Sequence, residues 1–156
     1  MSKGITIAEH CHVVCALAPV DIGGVAKVSD YFSLENYAHA TIIVACGAVT
    51  NAATITVEES TTNAGAATTP IAYKYAQETT AAGDTPGALA WATAAGISTG
   101  TNNGTILIIE IDASQLTDGY PYLVVKATNA AANLISVVAI LSGSRYAQAT
   151  TPTAIT

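Results

Sequence analysis

Apolar residues recur along the chain in short runs, separated by Gly, Pro, Asn and Asp. TITVEE at 54–59 alternates cleanly, with Ile55 and Val57 on one side and Thr and Glu on the other, the period of a half-buried strand. IAYKYAQ at 71–77 repeats the pattern: Ile71, Tyr73 and Tyr75 share a face opposite Lys74. Three further runs, 40–46, 106–109 and 134–141, are apolar on both faces instead. Strands of that kind are either covered on both sides within the fold or packed on one side against another subunit. TILIIEID (105–112) follows a turn-rich stretch, and YPYLVVKAT (120–128) follows a DG turn. Between them DASQL (112–116) reads as a helical turn capped by Asp112. The segment 78–104 is weakly patterned and holds the single Trp, Trp91, so an extended loop able to contact partners is expected there.

The connections are too short for parallel crossovers and too variable for a repeat architecture. An all-β, single-domain antiparallel β-sandwich is the economical solution. Composition strengthens this. Of 156 residues, 31 are Ala and only one is Phe, so burial depends on 15 Ile, 12 Val, 8 Leu and 7 Tyr, and 22 Thr add to the strand bias.

Charged residues make up 10% of the chain, against about a quarter in ordinary soluble domains, and net charge is −6. A weakly polar surface of this kind points to an assembly subunit covered in part by neighbours. The five bases, Lys3, Lys27, Lys74, Lys126 and Arg145, are scattered singly, which argues against nucleic-acid binding. The N-terminus does not read as a secretory signal, and the longest aliphatic run falls well short of the ~18 residues of a membrane helix. Cys11, Cys15 and Cys46 are expected to be reduced thiols.

Candidate chemistry is thin. Glu58 and Glu59 are adjacent on a strand and so point to opposite faces, where they cannot share a substrate. Nucleophile-elbow, phosphate-loop and dinucleotide motifs do not occur, and no enzymatic activity or cofactor is expected. EHCHVVC (9–15) places His10, Cys11, His12 and Cys15 together, but a structural zinc site needs four converging ligands, usually as two separated pairs. In an extended strand at most two of these reach a common point. The simpler expectation is that Cys11, Val13 and Cys15 form the inward face of an N-terminal strand, with Cys46 a buried small residue.

HVVCALAPVDIGGVAKVSDYFSLENYAHATIIVACGA, the IEIDASQL strand and turn, and RYAQATTPTAI near the C-terminus resemble a group of small structural proteins encoded among the head genes of tailed bacteriophages and prophages. The resemblance covers both ends and the strand before DASQL, and leaves out the loops from 60 to 104. It implies a decoration or cement protein of the virion, a jelly-roll-like sandwich on the capsid exterior, assembled in the host cytoplasm. Its partners would be the major capsid protein and copies of itself, as a trimer, with neither nucleic acid nor membrane. The acidic net charge favours the exterior over the DNA-filled interior. The chain then divides into an N-terminal arm (1–20), a sandwich (21–144) and a C-terminal tail (145–156). Assembly contacts are expected from Val13, Val14, Leu17, Pro19 and Val20 in the arm, and from Arg145, Tyr146, Pro152 and Ile155 in the tail. Such arms can add a strand to a neighbour's sheet, and proline lowers their ordering cost. Two alternatives stand beside this: a tail or neck subunit, and a glycan- or receptor-binding module using Trp91 and the Tyr-rich strand as a stacking platform.

Overall fold

The computed structural model describes residues 4–128, 132–145 and 153–155. It contains a one-turn helix α1 (Ile7–His10) and the strands β1 (His12–Asp21), β2 (Lys27–Val28), β3 (Phe32–Ser33), β4 (Tyr37–Val49), β5 (Thr54–Ser60) and β6 (Thr68–Pro70). Then follow β7 (Tyr73–Gln77), β8 (Ala90–Ala92), β9 (Ile97–Ser98), β10 (Thr105–Asp112), β11 (Tyr122–Ala127) and β12 (Asn133–Ser144). A 3-10 turn, Ala113–Gln115, follows β10, and its entry is closed by the Asp112 N–H donating to Gln115 Oε1 at 2.8 Å.

The strands form two antiparallel sheets. The larger has the order β1-β12-β4-β10-β7-β8 and the smaller β2-β11-β5-β6, with β3 also on β11 and β9 on β5. The chain passes back and forth between β1-β12-β4-β10 and β2-β11-β5-β6, which is the connectivity of a jelly roll. β7 and β8 extend the larger sheet beyond that eight-stranded frame. Alternation decides the packing: Ile42, Val44, Ile109 and Val137 point inward from the larger sheet, Ile55, Val57, Leu123 and Val125 from the smaller, and all are buried. Tyr73 reaches across this core from β7, its hydroxyl donating to Ile55 O on the smaller sheet at 2.7 Å. Burial pushes that phenol's pKa up.

Three expectations need correction. Residues 12–20 are not an arm but most of the edge strand β1, paired with β12 from His12 opposite Leu141 to Asp21 opposite Leu134. The reason is that Val14 and Ala16, 4% and 1% exposed, complete the core. Val13 and Cys15 therefore face outward, the reverse of the expected register, because Val14 lies directly opposite the inward Ala139 and a one-residue slip would turn every side chain over. Second, the segment 78–104, irregular as expected outside β8 and β9, is tied down rather than free. Glu78 accepts backbone N–H bonds from Thr80 and Thr85 at 2.5 and 2.7 Å, Asn102 Nδ2 donates to Thr79 O, and β8 and β9 tie the segment to both sheets. Gly96, at φ 82°, lets this return press on the Ile55 backbone, where a Cβ would collide. Third, the described end of the tail folds back: the Ser33 N–H donates to Ala154 O at 3.0 Å, and Ala154 is buried.

Candidate assembly surface

Cross-strand register aligns the outward residues of the larger sheet into rows. One row runs across all six strands as Val13, Ile140, Thr41, Glu110, Lys74 and Trp91. The next is Cys15, Val138, Ile43, Ile108 and Ala76, and a third carries Ser136, Ala45 and Ile106. The middle row is apolar from end to end. Its Val138, Ile43 and Ile108 are half-buried, shielded by one another on the pleat, while Val13, Ile106 and Trp91 around them are 51%, 39% and 60% exposed. Leu134, 46% exposed, lies over Gly47 at the far end. The sequence leads here directly: 40–46, 106–109 and 134–141 lack alternation because their outward positions are aliphatic too.

Apart from Ser136 in the third row, the polar groups of the face lie toward one margin. His39 on β4 bridges two carboxylates of β10, with Nε2 2.6 Å from Glu110 Oε2 and Nδ1 2.7 Å from Asp112 Oδ1. Thr41 Oγ1 donates to the same Glu110 oxygen at 2.7 Å. With both carboxylates ionised, the two ring nitrogens can both donate only when the ring is doubly protonated, so this arrangement favours the imidazolium. Burial opposes its charge, but the hydrogen bonds to Asp112 and Glu110 and their negative field outweigh that, and the His39 pKa is raised above its ordinary 6.5. Further along, Lys74 Nζ sits 5.3 Å from the centroid of the Trp91 ring.

The residues expected to form assembly contacts are dispersed. Val13 and Trp91 are brought to opposite ends of one row of the face. Val14 is in the core and Leu17 packs against it, whereas Pro19 is exposed and Val20 half-buried on β1. Ile155 packs against the core. Arg145 is exposed, with its N–H donating to Asn36 O at 2.9 Å. It borders a cleft of about 360 Å³ formed with Leu34, Glu35, Leu116, Asp118 and Tyr120 at one end of the sandwich. Tyr146 and Pro152 lie outside the described residues. In the N-terminal cluster, His10 Nδ1 is 2.9 Å from Thr6 O and His12 Nδ1 is 2.8 Å from the Tyr37 hydroxyl. Among the described residues, no three of His, Cys, Asp and Glu are placed to hold a metal ion, and no helix is long and apolar enough to cross a membrane.

Sequence reasoning missed the His39–Glu110–Asp112 bridge. Its signal was half visible, since Glu110 and Asp112 are two apart on a strand and share a face, but the partner depends on the register between β4 and β10. In comparisons with known proteins, no family model, curated protein or solved structure matches the chain.

Proposed function

We propose that this chain is a non-enzymatic structural protein of a virion, a decoration or cement protein that binds the outer surface of a phage head and stabilises the shell. The observation that carries the reading is the open aliphatic face of the larger sheet. A face with Ile43, Ile108 and Val138 in one row is unusual on a soluble monomer and marks a surface that ends up covered. The jelly roll is compatible with this but does not choose it, because the same frame serves viral capsid, lectin and cupin domains. Sparse charge and a net −6 fit a subunit placed away from packaged nucleic acid. The major capsid protein and further copies of the chain are the partners this reading assigns.

The test is to add the purified protein to shells that lack it and heat them. Saturable binding at a fixed number of sites per shell, with rupture moved to higher temperature, is the expected result. No binding, or binding with unchanged rupture, would defeat the reading. A glycan-binding module is the second reading, favoured by the 60% exposure of the Trp91 ring. Quenching of Trp91 fluorescence by free oligosaccharides would select it over decoration.

A further inference from the structure

We propose that the outer face of the larger sheet is a self-association surface on which two copies of this chain pack sheet on sheet. The inference goes beyond the decoration reading and does not depend on it. Area, shape and charge each bear on the occupant.

Rows of six, five and three residues, at ~4.8 Å between strands and ~6.8 Å between rows, give a face of roughly 450 Å². Two copies together then bury about 900 Å², the size of a weak, reversible interface. The shape is that of a sheet rather than a groove. Aliphatic sheet faces pack on one another at about 10 Å with strands near −30°, and the inner face of this same sheet already buries the same residue types in the core.

Charge selects a second copy over a charged partner. On the face, Lys74 offsets one of Glu110 and Asp112, and His39 when protonated offsets the other, so the patch carries at most one net charge. The remainder of the chain has nine acids and four bases, since two of the 11 acids and one of the five bases are on the face. That remainder is at −5, yet two copies meeting face to face bring together at most one net charge each. The contact is isologous, with the middle row meeting its own counterpart, and it therefore yields a pair and not a ring of three.

Sedimentation velocity of the full chain across the micromolar range tests this, alongside Ile108→Lys on the face and Val28→Lys, a control on the smaller sheet. The expected result is a dimer for the native chain and for V28K, and a monomer for I108K. Should I108K fail to fold, thiol chemistry decides in its place. Cys15 lies in the middle row and is exposed, so in a Cys11→Ser background its labelling rate is expected to fall as concentration rises through the dimerisation range. A monomer at every concentration overturns the inference, as does a trimer, or an oligomer in which Cys15 stays freely reactive. A dimer that fails to bind shells leaves this inference standing and removes the decoration reading. Shells decorated by a protein that is monomeric at every concentration do the reverse.

Discussion

Thr56, Glu58 and Lys126 stand on the outer face of the smaller sheet, while Ile43, Ile108 and Val138 hold outward places on the larger one. Both sheets are antiparallel, and both contribute an aliphatic inner face to one core. On the smaller sheet the outward residues also satisfy one another, with Lys126 Nζ donating to Glu58 Oε2 at 2.6 Å. The difference teaches that burial by the fold and suitability for water are separate properties of a strand. β4, β10 and β12 offer aliphatic residues to both faces while the fold covers one. β5 offers Thr and Glu outward and is nonetheless covered on both sides over its second half, Glu58 being 8% and Val124 opposite it 0% exposed.

Three measurements would break or sharpen that contrast. The largest effect is expected from neighbours on β10 that face opposite ways. Ile109→Ala, in the core, should cost about 2–5 kcal/mol of unfolding free energy, while Ile108→Ala should cost the monomer less than about 1 kcal/mol. Denaturant unfolding at low protein concentration reads both, and equal losses would mean that the outer face is already packed within one chain. A smaller effect separates the adjacent acids of β5. Glu59, 2% exposed, accepts the Thr117 N–H at 2.8 Å. Glu59→Ala removes that bond and empties a buried side-chain site, and should cost about 1–3 kcal/mol. Glu58, 8% exposed, is also buried, but its partner Lys126 is a third exposed and can turn to solvent once freed, so Glu58→Ala should cost less than Glu59→Ala.

The smallest effect is a pH step from the polar margin of the larger sheet. The folded-state pKa of His39 is raised, so its contribution to stability is fully present below about 6.5 and is lost as pH rises through the folded value. His39→Gln should flatten that step in a plot of unfolding midpoint against pH. An unchanged profile would show that the bridge to Glu110 and Asp112 does not hold the ring charged.

Much of the sandwich was legible in the sequence, and for identifiable reasons. β10 coincides with the expected run 105–112, because turn residues precede it and the DASQL turn follows. β5 was clear because it alternates. β2, β3, β8 and β9 were not, since strands of two or three residues leave no periodicity to read. The facing of β1 was also hidden: HVVCALA offers small or apolar residues to both sides, and only the pairing of Val14 with Ala139 fixes which set goes in. Buried Asn133 likewise looked like turn punctuation. Its Oδ1 accepts the Thr50 N–H at 2.8 Å and its Nδ2 donates to Asn51 O, stitching the start of β12 to the residues after β4. For the candidate surface, the sequence left open whether the apolar runs are covered within the fold or by another subunit, while register showed that their outward residues merge into one face.

The margins of the two sheets are all poor templates for further strands. β1 is interrupted by irregularities between Cys15 and Leu17 and between Leu17 and Val20, and it carries Pro19, which has no N–H to offer. β8 and β2 are three and two residues long, and β6 ends at Pro70. A protein with an adhesive sheet face and ordinary edges would be exposed to endless lateral polymerisation into fibres. Here growth along the hydrogen-bonding direction is disfavoured at each of these rims, so an assembly made through the face of the larger sheet would stay finite.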